Sequence, residues 1–278
     1  MIKFLDIYKQ DRFLHKSIIK KISKLFIKGD FIMGNEVQIF ENNFRKYCNA
    51  KYAISCGNGT DALTIALKSL DLPKNSEVIL PAMTYCSTAF AVLNANLKPI
   101  LVDTESLKST IDLRELKKKI TKKTKVILPV HLYGSVANLN GIKKIINNKN
   151  IYLIDDCAQA HGAYDNSLKT HNKNKIGSTS DISCFSLYPG KNLGAYGDAG
   201  IITTNNKKLY NKIRKLRNLG SEKKFIHECV GMNSRLDTIQ AIVLNHKIKN
   251  LNKLNKQRQK IAKIYNTKIV NQKITKLN

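Results

Sequence analysis

The chain has 278 residues, enough for one large domain or a large domain and part of a second. Hydrophobic residues make up 42 % of it, an ordinary share for a globular protein with a real core. No apolar run approaches the ~20 residues a membrane-spanning helix needs, and the opening MIKFLDIYKQDRFLHKS lacks the pattern of a leader peptide, so the cytoplasm is the expected compartment.

The formal net charge is +28, from 48 Lys and Arg against 20 Asp and Glu. The excess is mostly lysine, spread along the chain beside Asn and Ile. It reads as a solvated surface, with polyanion binding as the competing reading. No recognition helix, zinc finger or stacking-aromatic motif supports nucleic acid as a partner. A phosphate-bearing substrate would still gain in on-rate from such a field. The six cysteines, Cys48, Cys56, Cys86, Cys157, Cys184 and Cys229, form no CxxC pair and no zinc spacing with histidine. They are expected reduced, and no metal is expected.

Strand-like and helix-like segments alternate along the chain. YAIS at 52–55 predicts a short strand; after the turn GNG, DALTIALKSL has apolar residues at helical spacing. EVILP at 77–81 is a second strand, followed by a helix through STAFAVLNA, and PILVD at 99–103 is a third. KVILPV at 125–130 and IYLIDD at 151–156 are continuous apolar runs ending in polar residues. Strands buried on both faces look like this, which favours a mostly parallel sheet covered by helices. DISCFSL at 181–187 and AGIITT at 199–204 continue the series, and a helical pattern runs from Lys207 to the end. The polar stretch 171–181 is expected to be exposed. A long terminal helix near 236–265 shows little to pack against.

Ligands of open α/β sheets bind at the carboxyl ends of the strands, and three clusters fall there. Gly57-Asn58-Gly59-Thr60-Asp61 joins a strand to a helix and suits a phosphate cradle; a tight turn capped by Asn58 or Thr60 explains it equally well. Asp156, in DDCAQAHG, ends a buried strand, where an acid needs a cation or donor; capping the next helix is the alternative. Lys191, in SCFSLYPGKNLG, is a single lysine in an apolar, glycine-bordered segment. It is either a nucleophile of lowered pKa or a lysine whose ammonium reaches water. Together the three supply partners for the phosphate, ring nitrogen and aldehyde of pyridoxal phosphate.

Ordered segments GDFIMGNEVQIFE, GNGTDAL, PAMTYCSTAFAVLNA, PVHLYG, DDCAQAHGA, CFSLYPGKNLGAYGDAG and GMNSRLDTIQA span essentially the whole chain. They resemble the DegT/DnrJ/EryC1/StrS sugar aminotransferases, of the pyridoxal-phosphate-dependent fold type I. The resemblance implies a three-layer α/β/α fold. It divides the chain into an N-terminal arm and helix (1–28), a large cofactor domain (29–240) and the start of a small C-terminal domain (241–278), which is expected to be incomplete. It makes Lys191 the Schiff-base lysine and proton shuttle, pairs Asp156 with the pyridine nitrogen and Gln159 with the ring 3-oxygen, and stacks Tyr85 on the ring. Gly59, Thr60, Asp61 and Ser186 would hold the phosphate, with Asn233 reaching it from the other subunit of a homodimer. Tyr188 and His131 are candidate substrate contacts. The implied reaction moves an amino group, from glutamate, to a nucleotide-diphosphate-linked keto-deoxysugar, with the YPGKN context favouring a 3-keto over a 4-keto carbon. The alternative is a family member impaired by its shortened C-terminus that serves as a binding or regulatory subunit. The resemblance also marks Asp165–Ser178 as a looser, more polar excursion than the short turn usual there.

Overall fold

The structure is a computed structural model and describes residues 5–167, 174–223 and 225–276. Helices α1 (Ile7–Asp11), α2 (His15–Lys28) and α3 (Asn35–Cys48) lead into strand β1 (Tyr52–Cys56). Next come α4 (Gly59–Lys68), β2 (Glu77–Pro81), α5 (Ser87–Asn94), β3 (Lys98–Val102), α6 (Leu113–Lys119), β4 (Thr124–Ile127), α7 (Leu139–Ile146) and β5 (Tyr152–Asp156). A two-residue ladder pairs β6 (Tyr164–Asp165) with β7 (Asn174–Lys175). After β8 (Ile182–Ser186) and β9 (Gly200–Thr204) come α8 (Lys207–Leu216), the hairpin of β10 (Ser221–Lys223) and β11 (Ile226–His227), then α9 (Thr238–Lys247) and α10 (Leu251–Lys268).

Seven strands form one sheet in the order β1-β9-β8-β5-β4-β2-β3. The pairs of β2 with β3, β2 with β4, β4 with β5, and β5 with β8 are parallel; β9 runs antiparallel to both β1 and β8. The strands alternate their side chains between two apolar clusters. Leu153 of β5 and Phe185 of β8 join Phe40, Phe44 and Leu244 on one face, while Ile154 and Cys184 join Ile65, Val78 and Leu80 on the other. Both faces are thus covered, which is why β2 and β9 are buried at every position. Each fully buried Phe, Leu or Ile contributes about 1.5–3 kcal/mol relative to exposure. Phe44 and Phe185 add an edge-on ring contact with centroids 5.0 Å apart.

Pro129 lies just beyond the short strand β4, and the expected strand through 130 ends early; Val130 keeps only a single bridge to Asp156. The helix expected from Lys207 onward is interrupted over 217–237. Arg217 turns inward, where it donates to Glu41 Oε1 and to the Ser55 carbonyl, and Leu219 and Gly220 take positive φ. The terminal helix, expected to be unpartnered, splits at Ile248–Asn250. Its first half buries Ala241, Ile242, Val243 and Leu244, with Ala241 and Leu244 in the cluster of Phe40 and Ile242 and Val243 against Ile18 and Leu25 of α2. The second half, α10, leaves the core after Leu251. Residues 168–173 of the polar excursion lie outside the described residues. At its base Asp165 and Ile176 are buried, so the flanks are tighter than a loose excursion. Among the described residues no helix is long and apolar enough to cross a membrane.

Candidate active site

Lys191 lies on the connection between β8 and β9. Its two feet are tied together: Leu187 N–H donates to the Ala199 carbonyl and Ala195 N–H to the Leu187 carbonyl, each at 2.8 Å. Lys191 N–H closes a turn onto the Tyr188 carbonyl at 2.9 Å. A Cβ at Gly194 would press on the carbonyls of Tyr188 and Pro189, so this bend needs glycine for close approach. The Lys191 side chain is half-buried. Burial pushes its ammonium pKa down, and the charge of Asp156 opposes that shift.

Asp156 ends β5 and is 5 % exposed. Its Oδ1 accepts from Ala158 N–H at 3.0 Å and its Oδ2 from Thr88 Oγ1 at 2.8 Å. It closes the turn after it; among the described residues no helix follows there for it to cap, contrary to the alternative reading. Burial raises its pKa; the Ala158 and Thr88 bonds, His131 and Lys191 pull the other way. The mutual influence of Asp156 and Lys191 puts them in one electrostatic environment. Thr88, itself bonded to Thr84 through their hydroxyls at 2.7 Å, went unnoticed in the sequence. The available signal was a hydroxyl inside the apolar run of α5, since a buried hydroxyl needs a partner.

His131 is fully buried, and this corrects its placement as a substrate contact. Its Nδ1 accepts from Ala137 N–H at 3.2 Å, and its Nε2 lies 3.6 Å from Asp155 Oδ2 on the opposite side of β5 from Asp156. Neighbouring residues of a strand point to opposite faces, so the two acids of DDCAQ divide: one faces the site and one the interior. The ligating atoms of His131, Asp155 and Cys157 fall within 4.8 Å of one another. With Nδ1 accepting, the neutral imidazole carries its proton on Nε2, the atom a metal would need. The group reads as a buried histidine–carboxylate pair.

Gln159 accepts from Tyr133 N–H through Oε1 at 2.7 Å, which leaves its amide nitrogen to donate toward the site. At the other strand end, Asn58 caps α4 by accepting from Asp61 N–H at 2.8 Å. Asp61 N–H, expected to bind phosphate, is thereby engaged, and the first-turn donors that remain are those of Gly59 and Thr60. Asp61 instead uses its carboxylate, accepting from Ser234 Oγ at 2.6 Å, while Ser234 Oγ accepts from Gly57 N–H at 2.9 Å. A Cβ at Gly59 would lie 2.6 Å from Ser186 Cβ, so the α4 N-terminus meets the Ser186 hydroxyl with no side chain between. Tyr85, Tyr188 and Asn233 are exposed. A cavity of about 1090 Å³ is lined by Lys191, Gln159 and His161, with Asn255 and Arg258 of α10 on its wall. His161 is a further residue the sequence reading passed over; burial and the Lys191 charge push its imidazole down to about 3, so it is neutral.

The parts fit pyridoxal phosphate: Gly59, Thr60 and Ser186 for the phosphate, Asp156 for the ring nitrogen, Gln159 for the ring oxygen, and Lys191 for the aldehyde. Fold and site define a pyridoxal-phosphate-dependent transferase of the three-layer α/β class. The sequence profile of the DegT/DnrJ/EryC1/StrS aminotransferase family matches residues 13–277, and the chain belongs to that family. The chain is 41 % identical over 265 residues to dTDP-3-amino-3,6-dideoxy-alpha-D-galactopyranose transaminase of Aneurinibacillus thermoaerophilus, spanning 95 % of this chain and 71 % of that one. It is 37 % identical over 265 residues to UDP-2-acetamido-2-deoxy-3-oxo-D-glucuronate aminotransferase of Pseudomonas aeruginosa, spanning 95 % and 72 %. Among solved structures, DesV of S. venezuelae in complex with a ketimine intermediate superposes with a TM-score of 0.90 at 35 % identity, over 95 % of this chain and 70 % of that one.

Proposed function

We propose that this chain moves an amino group from an amino acid, glutamate in this reading, to a keto carbon of a nucleotide-diphosphate-linked deoxysugar. The observation that carries it is the meeting of half-buried Lys191 and buried Asp156 beside the Gly59–Ser186 cradle. Relatives whose names carry 3-amino or 3-oxo sugars support the 3-keto carbon. Pyridoxal phosphate, once bound, supplies an aldehyde and an electron-poor ring that takes up charge when a C–H bond breaks.

The chain's own residues do the rest. Gly59 and Thr60 N–H groups and the Ser186 hydroxyl bind the phosphate, with the positive end of α4 adding to the attraction. Asp156 would hold the ring nitrogen, Gln159 would donate to the ring oxygen, and the exposed ring of Tyr85 would pack against the cofactor. Lys191, whose ammonium burial pushes toward the free amine, would present Nζ to the aldehyde and hold and move a proton there. Tyr188 stands at the substrate side. Asn233 serves a second copy of the chain in a homodimer. Exposed apolar side chains on and before α5, Met83, Tyr85, Phe90 and Leu93, support such pairing. Six free thiols, four of them buried, suit the cytoplasm.

Purified chain mixed with pyridoxal phosphate is expected to develop visible absorbance, and borohydride to fix the cofactor covalently. Lys191→Ala should abolish both and lower turnover by on the order of 10³-fold or more. A wild-type chain that takes up no pyridoxal phosphate refutes the proposal. A binding or regulatory role is the second reading; one relative, 37 % identical over 264 residues, carries the name pleiotropic regulatory protein, from Geobacillus stearothermophilus. Conversion of the bound cofactor to its amino form by glutamate alone excludes that reading.

A further inference from the structure

Asn255 sits on α10, beyond the point where that helix leaves the core. Its Nδ2 donates to the main-chain carbonyl of His161 at 2.7 Å, and its Oδ1 accepts from Asn192 Nδ2 at 3.0 Å. A carbonyl can only accept, so the His161 bond fixes which end of the Asn255 amide turns to Asn192. Asn192 is the neighbour of Lys191. His161 closes the segment that begins with Asp156 and carries Gln159. One side chain therefore joins the loop of the lysine to the loop of the acid. Gly162 makes room for it: at φ 86° it has no Cβ, and one would lie 2.9 Å from Asn255 Nδ2 and collide with the Tyr47 hydroxyl. Tyr47 in turn donates to Asn252 at 2.9 Å and holds the start of α10 in place.

Between the two loops, the sheet itself provides the β5–β8 ladder and the bond from Cys157 N–H to the Cys184 carbonyl at 2.8 Å. Both stop well short of Lys191, whose long side chain samples many rotamers. The tip of its loop is where a restraint matters for the reach of Nζ.

We propose that Asn255, reaching in from α10, is a positioning residue that clasps the Lys191 loop to the Asp156–Gln159 loop and so sets the reach of Lys191 toward the cofactor. This rests on the function proposed above and adds that α10 is part of the site's framework as well as a link to the C-terminal residues.

Asn255→Leu and Asn192→Ala remove the clasp from opposite ends. The readouts are the dissociation constant for pyridoxal phosphate, the pH midpoint of the bound cofactor's visible absorbance, and the thermal midpoint of the apo chain. Both variants are expected to bind the cofactor about tenfold more weakly and to shift the pH midpoint. The double variant should be no worse than the weaker single one, because both act on one interaction. The thermal midpoint should hold near wild type, since α9 and Leu251 keep their packing. If Asn255→Leu fails to fold, Asn192→Ala, a loop substitution, decides alone. Wild-type affinity and pH midpoint in the variants overturn the inference and leave the function standing, as do fully additive losses. A wild-type chain without cofactor absorbance removes both.

Discussion

A carboxylate at the buried end of β5 is pushed toward its protonated form by its surroundings. Burial raises the pKa of Asp156, and two donors with the nearby cation recover only part of that. Between the ordinary carboxylate range and the raised value the folded apo chain binds the proton more tightly than the unfolded chain does. Apo stability therefore falls as pH rises through that window and stays reduced above it. Asp156→Asn removes the titration and keeps both hydrogen-bond partners, because the Thr88 hydroxyl can accept as well as donate. The apo variant is expected to match or exceed wild type in urea midpoint at pH 7, while its turnover drops by about 10²–10³-fold. Urea titrations with and without pyridoxal phosphate check this; a variant less stable than wild type in the apo state contradicts it. The sequence made Asp156 and Lys191 legible, since each is a polar residue stranded in an apolar segment. The choice of Asp156 over Asp155 came from the family resemblance, because adjacent residues of one strand are alike in composition and differ only in the face they present. His131 was misplaced for the same reason: its partner, Asp155, looks inward.

The N-terminus of α4 and the end of β8 come together only because Gly59 has no side chain. Adding a Cβ there drives it into Ser186, at 2.6 Å from its Cβ, and pushes apart the two halves of the proposed phosphate cradle. Gly59→Ala is expected to weaken pyridoxal phosphate binding at least tenfold and to destabilise the chain by about 1–3 kcal/mol. Equilibrium dialysis with the cofactor and a thermal melt measure the two effects. Unchanged affinity would mean that the phosphate lies elsewhere. The strands read well from the sequence because runs such as EVILP and IYLIDD are apolar except at one end, as double-faced burial demands. The region from 217 to 237 did not, since its course is set by Arg217 reaching Glu41 and Ser55 far back in the chain. Helical periodicity carries no record of such a long-range ion pair. The split of α9 from α10 was hidden likewise: the burial of α9 comes from α2 and α3, which a local pattern does not see.

At the scale of the whole molecule, the formal charge of +28 gives a field that favours a doubly anionic sugar nucleotide at long range. The proposed homodimer shares its sites through Asn233, which is exposed on the single chain. Two inactive chains, one Lys191→Ala and one Asn233→Ala, then complement each other. A mixed dimer holds one site with both defects and one with neither. Co-refolding the two is expected to restore turnover to a substantial fraction of wild type, with neither parent active alone. Failure to recover activity in a demonstrated mixed dimer would confine each site to one chain. The reversed strand β9 sets how Lys191 can be altered. A parallel neighbour of β8 would have needed a long crossover, whereas the antiparallel return lets a short lobe leave and re-enter the sheet at one edge, bolted across its neck by Leu187 and Ala199. The lobe is also anchored from outside the sheet: Leu193 and Ala195 are buried in the main core, and Asn192 and Tyr196 bond to Asn255 and Gln240. A side-chain exchange at position 191 that keeps the length of the lobe leaves the register of every strand as it is, whereas an insertion would pull on those anchors.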